Sequence, residues 1–158
     1  MAVLITNEQN LQKIPANQIR KTAQAVLNDL GSPDGELSVL ITDDERIAEI
    51  NGAYFDRPWP TNVISFSMAE GDFVDVHPET KMLGDIVISM ETAMREAKEA
   101  IMPLEERFAQ LLVHGVLHIF GYDHETPDAD AQRMEKKSEA LMEMLKKEGL
   151  AGRKNGPS

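Results

Sequence analysis

The chain contains no cysteine, so its fold cannot depend on disulfide bonds and any metal site must be built without thiolate ligands. Histidine, aspartate and glutamate remain as the side chains that can bind a transition metal. The absence of cysteine is also compatible with a reducing compartment, and we expect the protein to be cytoplasmic.

The sequence also lacks the features that direct a chain into a membrane. Residues 1–6 contain no basic segment of the kind that opens a signal peptide. No apolar run reaches the roughly 18–20 residues that a bilayer-spanning helix needs. We therefore expect a soluble, unexported protein with no membrane partner.

Positive charge is scarce, because 16 lysines and arginines stand against 27 aspartates and glutamates, a formal net charge of −11. Affinity for a phosphate backbone normally comes from lysine and arginine, so this balance counts against non-specific binding to nucleic acid. A bound divalent cation or a local basic groove could still hold RNA. We expect such binding to be weak or assisted by a partner.

Histidine is scarce as well, yet three of the four, His114, His118 and His124, fall within eleven residues. Apolar residues at helical spacing place the first two on one helix, four residues apart and on one face. Gly121 falls where a helix can end in a left-handed residue, so the chain can turn back and bring His124 towards the other two. Three imidazoles at about 2.0–2.1 Å would hold zinc and leave the fourth position for water, as in catalytic zinc sites.

The same H-x3-H-x2-G-x2-H spacing occurs in metzincin proteases. In those enzymes a glutamate follows the first histidine and acts as the general base, whereas Gly115 stands at that place here. The ligand spacing is present without the peptidase base, so peptide hydrolysis is not favoured.

The apolar pattern predicts one domain over residues 1–150, followed by a small, polar, flexible tail over 151–158. Strands are predicted at 3–5, 37–42, 62–67 and 84–89, and helices at 15–30, 103–120 and 128–147. Two further helices are predicted, one capped by Asp43 or Asp44 that runs to Asn51, and one opened by Ser89 or Thr92 that runs to Ala100. The expected class is α+β: a small mixed sheet of about four strands with helices packed over it and a metal site at the end of a helix.

Three segments of the chain resemble the YbeY family of bacterial metal-dependent endoribonucleases. The histidine segment resembles the family's H-G-x-L-H-x-x-G-Y-D-H signature, residues 60–66 its P-T-[DN]-V-L-S-F strand and residues 83–89 its L-G-D-I-x-I-S strand. The resemblance implies a zinc-dependent endoribonuclease, specific for single strands, that matures 16S ribosomal RNA and takes part in ribosome quality control. It also implies small-subunit ribosomal proteins as partners, and a metal cleft between the histidine helix and the sheet.

One position departs from that family. An arginine follows the aromatic residue of the family's N-x-x-[FY]-R motif, whereas Asn51-Gly-Ala-Tyr54 is followed here by Phe55. Arg57, two residues further on, is a candidate catalytic substitute because its planar guanidinium suits bidentate contact with phosphate. The sequence leaves open the alternative of a solvated loop arginine.

Two other functions fit the same residues: a metal hydrolase acting on another substrate, and a ribosome-assembly binding factor whose metal only staples the C-terminal turn. A fourth protein ligand would favour the staple, and an open water position beside a phosphate-sized cleft would favour catalysis. Three imidazoles also suit nickel, copper or iron, so the metal is not fixed by the ligands.

Overall fold

The computed structural model describes residues 3–13, 15–68, 82–122 and 127–151, the side chains of 127–130 excepted. These residues form β1 (Val3–Asn7), α1 (Ala16–Asp29), β2 (Glu36–Thr42), α2 (Asp44–Phe55), β3 (Val63–Ser67), β4 (Met82–Ser89), α3 (Met90–Ala100), α4 (Leu104–Ile119) and α5 (Pro127–Lys147). The predicted α+β class is confirmed. No helix in this part of the chain is both long and apolar enough to span a bilayer.

The four described strands form one mixed sheet in the order β1-β2-β4-β3. β1, β2 and β4 are parallel, whereas β3 runs antiparallel to β4 with Ser65 opposite Ile86. Parallel neighbouring strands need a crossover connection. The connection from β1 to β2 contains α1, and the connection from β2 to β4 contains α2 and β3. β3 consequently lies at the edge of the described sheet.

The side chains of β4 alternate between two apolar clusters, as a strand with both faces covered requires. Ile86 and Ile88 point into the main core, which they share with buried residues of α1, α4 and α5. Val87 points to the opposite face and packs against Ile47 of α2 and Ile64 of β3. Helix α4 therefore lies on one face of the sheet and α2 on the other.

The Asp44 carboxylate joins the first turns of α2 and α3. Its Oδ1 accepts hydrogen bonds from Ser89 Oγ at 2.7 Å and from Thr92 Oγ1 at 2.6 Å. Burial raises the pKa of Asp44, but the bonds from Thr92 and Ser89 and the nearby Arg95 guanidinium outweigh it and hold that pKa below its ordinary value. The charged form of the Asp44 carboxyl is thus stabilised at the junction between β4 and α3.

We expect Asp44→Asn to lower the free energy of unfolding by about 1–3 kcal/mol at neutral pH, because two hydroxyls lose a charged acceptor. A depressed folded-state pKa stabilises the fold above the unfolded-state pKa of about 3.9, and this contribution disappears as the pH falls through the folded-state value. Urea unfolding at a series of pH values should show the difference from wild type shrinking below about pH 4.

Asp34→Asn, at an exposed turn position, is the control and should unfold like the wild type throughout the series. A difference between Asp44→Asn and wild type that does not change with pH would contradict the charged role of Asp44.

Candidate active site

A cleft of about 510 Å³ lies between α4, the edge strand β3 and the loop that joins α2 to β3. It is lined by Asn51, Phe55, Arg57, Trp59, Pro60, Thr61, Val63, Ile64, Ser65, His114, Gly115 and His118. Two of the three histidines predicted as metal ligands and the predicted catalytic arginine therefore border one cavity. Its volume falls within the range of small-ligand sites.

His114 and His118 lie on successive turns of α4, as their spacing predicted. Their Nε2 atoms are 2.9 Å apart, and their ring centroids are 4.4 Å apart with an interplanar angle of 66°. Each ring thus directs its Nε2 atom towards that of the other ring. Two ligands on a tetrahedral zinc at about 2.0–2.1 Å stand about 3.4 Å apart, so a small ring rotation would admit an ion.

The apolar pattern of α4 explains why these rings face the cleft. Leu112, Val113, Val116 and Leu117 are all buried in the main core. Positions 114 and 118 fall to one side of this stripe, where His114 is exposed and His118 half-buried. The imidazoles are therefore accessible from the cavity while their helix is anchored by its other face.

Gly115 sets how closely α4 approaches the sheet. A Cβ atom added at this position would lie 3.1 Å from Cγ2 and 3.2 Å from Cδ1 of Ile86. The helix backbone is therefore packed directly on the β4 side chain. A glutamate at this position, as in metzincins, would have to displace Ile86. The packing of α4 on β4 therefore explains why the glutamate that serves as the peptidase base does not fit here.

Helix α4 ends in the left-handed turn predicted at Gly121, whose φ is 84°. The amide of Tyr122 donates to the carbonyl of Leu117 at 3.1 Å, and the amide of Gly121 donates to the carbonyl of His118 at 3.0 Å. This pair of bonds is a Schellman motif, which reverses the chain immediately after the helix.

The remaining histidines, His124 and His77, lie outside the described residues. Within residues 3–13, 15–68, 82–122 and 127–151, no group of three or more histidine, aspartate or glutamate side chains is arranged to hold a metal. The predicted three-histidine site can accordingly be described at His114 and His118 alone.

Arg57 lies on a loop held by main-chain hydrogen bonds. Asp56 ends α2 in a left-handed conformation with φ of 58°, and the Arg57 amide donates to the Asn51 carbonyl at 3.2 Å. The buried Asn51 side chain donates from Nδ2 to the Trp59 carbonyl at 3.0 Å. The exposed Arg57 side chain takes part in no ion pair between residues that the structure describes.

Asn51 and Trp59 are site residues that the sequence analysis did not single out for a function. Asn51 is 6% exposed, and its role depends on a carbonyl eight residues away, which no periodic pattern reveals. Trp59 did carry a signal, because a tryptophan between Pro58 and Pro60 cannot lie within a regular helix or a central strand.

Comparison with known proteins identifies the family of the chain. The profile of the family described as Endoribonuclease YbeY matches residues 4–146. The Endoribonuclease YbeY of Geobacter sulfurreducens is 48% identical over 151 residues, which cover 95% of this chain and 99% of the relative. That of Syntrophotalea carbinolica is 49% identical over 147 residues, covering 92% and 97%.

The chain belongs to the YbeY endoribonuclease family. The resemblance that the three sequence segments indicated is thereby confirmed, and the range matched to the YbeY family contains every residue lining the cleft. The solution structure of TM1509 from Thermotoga maritima is similar in fold, with a TM-score of 0.64 at 22% identity over 99% of both chains.

Substitutions at Gly115 test the close contact between α4 and β4. Gly115→Ala should change the free energy of unfolding little, because a gain of about 1 kcal/mol in helix propensity opposes the shift forced on Ile86. Gly115→Glu should destabilise by more than about 3 kcal/mol, because it buries an unpaired carboxylate in a filled space.

Urea unfolding midpoints measure both effects. Gln110→Glu, half-exposed on the same helix and within reach of Arg107, is the control for adding a carboxylate to α4 and should cost little. Wild-type stability in Gly115→Glu would show that Gly115 does not set the position of α4.

Proposed function

We propose that this chain is a zinc-dependent endoribonuclease that cleaves single-stranded RNA in the cleft between α4 and β3. Its relatives are described as endoribonucleases, which supports RNA as the substrate. The observation that carries the proposal is the convergence of the His114 and His118 Nε2 atoms, 2.9 Å apart, in the cleft that Arg57 also lines. We further propose ribosomal RNA as the target, and action in the cytoplasm in rRNA processing and ribosome quality control.

The donor chemistry of the site fits a transition metal. Two imidazole nitrogens meet at one point, and His124 follows shortly after the chain reversal at Gly121. We propose His114, His118 and His124 as the ligands of one ion, zinc in the first instance. When bound, the ion would supply Lewis acidity towards a phosphoryl oxygen and lower the pKa of water.

Arg57 is proposed to bind the phosphate that reacts. Negative charge grows on the phosphoryl oxygens as a phosphodiester bond is attacked, and a preorganised guanidinium stabilises that charge. The Arg57 loop is fixed by the hydrogen bonds that Asn51 makes to Arg57 and Trp59, so little rearrangement is needed on binding. Arg57 and the histidine pair border the same cavity, which supports the proposal that one bound phosphate contacts both.

The accessible cleft favours catalysis over a purely structural metal. His114 is exposed and both imidazoles line an open cavity, whereas a structural site closes its ligands around the ion. The net charge of −11 supports assistance by a partner in binding RNA, and we propose small-subunit ribosomal proteins for this part.

Metal analysis tests the proposed ligands. The purified protein should contain about one equivalent of transition metal, and replacing both His114 and His118 by alanine should remove the metal and abolish RNA cleavage while the circular dichroism spectrum stays unchanged. His77→Ala should keep the full metal content. A folded, active protein without metal would contradict the proposal, and equal metal loss in both variants would show that the ligands were wrongly chosen.

Kinetics of Arg57 variants test the proposed phosphate contact. Arg57→Ala should lower kcat for RNA cleavage about 10²–10³-fold, with metal content and stability unchanged. Arg57→Lys should recover little, because a point charge lacks the planar fork. Lys21→Ala is the control, because it removes an exposed charge outside the cleft, and it should cleave RNA like the wild type. Wild-type cleavage by Arg57→Ala would show that the guanidinium takes no part in the reaction.

A second substitution asks whether the family position can substitute for Arg57. Phe55 is 46% exposed and lines the cleft, so an arginine at that position can reach the cavity without being buried. Phe55→Arg in the Arg57→Ala background should therefore restore part of the lost cleavage rate. No recovery in a folded, metal-containing double variant would show that the two positions are not equivalent.

A further inference from the structure

Two exposed aromatic rings border the cleft beside Arg57. The chain has one tryptophan, two tyrosines and five phenylalanines. Trp59 and Phe55 line the cavity and are 56% and 46% exposed. A single exposed apolar side chain is ordinary, but two large rings at the mouth of one polar cavity form a surface suited to a flat ligand.

The backbone of Trp59 is fixed although its ring is exposed. Its amide donates to the Arg57 carbonyl at 2.7 Å, and its carbonyl accepts from Asn51 Nδ2 at 3.0 Å. Pro58 and Pro60 restrict the chain on both sides. Since the ring sits on a backbone that cannot swing away, a ligand that covers it orders few additional bonds.

Phe55 is braced from behind. Its ring stacks on Phe66 with centroids 5.7 Å apart and planes 19° from parallel, and Phe66 also receives Tyr54 edge-on at 5.2 Å. These ring contacts hold Phe55 in place at the cleft that Trp59 also lines. The rim therefore has a packed ring at Phe55 and a fixed backbone at Trp59.

The surroundings of the cleft offer little charge for holding a phosphate backbone. A groove of about 800 Å³ between α4 and α5 meets the cleft at Val63 and His114. Of its three cations, Arg107, Lys136 and Lys146, two are already paired, Arg107 with Glu96 and Lys146 with Glu106, each at 2.9 Å. With a net charge of −11 as well, RNA binding calls for a source of affinity in addition to the phosphate contact proposed at Arg57.

We propose that Trp59 is a base-stacking residue that receives an unpaired base of the RNA, next to the phosphate at Arg57. Stacking on an aromatic ring adds affinity independent of charge, and every base has a face to offer. A base inside a duplex is covered by its neighbours, so the contact selects single strands. The inference rests on the proposed function and adds to it the residue that recognises the substrate class.

Fluorescence gives a direct readout, because Trp59 is the only tryptophan of the chain. Stopped-flow mixing of the intact, metal-containing protein with a short unstructured RNA oligonucleotide should quench the emission before cleavage is complete. The same sequence annealed into a duplex should leave the emission unchanged. Unaltered emission with the single strand, at concentrations where it is cleaved, would overturn the stacking role.

Kinetics separate stacking from a structural effect. Trp59→Ala should raise KM for single-stranded RNA about ten- to a hundred-fold with kcat little changed, and Trp59→Phe should retain most of the affinity. Ile101→Ala is the control, because Ile101 is a 92% exposed apolar residue that does not line the cleft. It should keep the wild-type KM.

An abasic scan of the oligonucleotide identifies the stacked base. At one position, removing the base should raise KM for the wild type as much as Trp59→Ala does, and should add nothing in that variant. Full additivity at every position would overturn the proposal.

The outcomes distinguish this inference from the function on which it rests. A wild-type protein that cleaves no RNA would contradict the proposed endoribonuclease, and the fluorescence measurement would still decide whether RNA covers Trp59. A Trp59→Ala variant that cleaves with the wild-type KM would overturn stacking and leave the endoribonuclease intact. Loss of ribosome association by that variant, with free RNA cleaved normally, would assign the ring to a protein partner and overturn stacking likewise.

Discussion

The packing of the α4 backbone against Ile86 at Gly115 is the constraint on which the site depends. With no side chain at that position, the helix lies close to β4, and His114 and His118 on either side of it reach the cleft at the edge strand β3. A larger side chain there would press on Ile86, so either Ile86 or the helix that carries both imidazoles would have to shift. Main-chain packing, and not polar contact between site residues, therefore brings the histidines to the Arg57 loop.

The other wall of the cleft depends on one buried amide. Asn51 accepts from the Arg57 amide through its carbonyl and donates to the Trp59 carbonyl through its side chain, so a single residue of α2 fixes both ends of the loop's functional segment. A cavity formed by a rigid helix and a fixed loop keeps its groups in place before substrate arrives, as preorganised sites require.

The sequence predicted the elements well, because period and capping are local properties. The four strands and the left-handed Gly121 appear in the structure as predicted, and of the cap residues that the sequence left open, Asp43 caps α2 and Ser89 caps α3. The position of Arg57 at the same cavity as the histidine pair could not be predicted from such patterns, because it depends on how α4 packs over β3. The third ligand, His124, lies outside the described residues, so its part in the site stays a prediction.

If RNA is the substrate, the net charge of −11 limits where on the protein surface RNA can bind. An overall negative protein repels a polyanion from most of its surface, and only a site with its own attractive groups can hold it. Here those groups are a loop guanidinium, a pair of imidazoles suited to a cation and two exposed rings, all around one cavity. If Trp59 stacks on an unpaired base as proposed, general repulsion and a local aromatic contact would together restrict binding to single strands placed at the histidines.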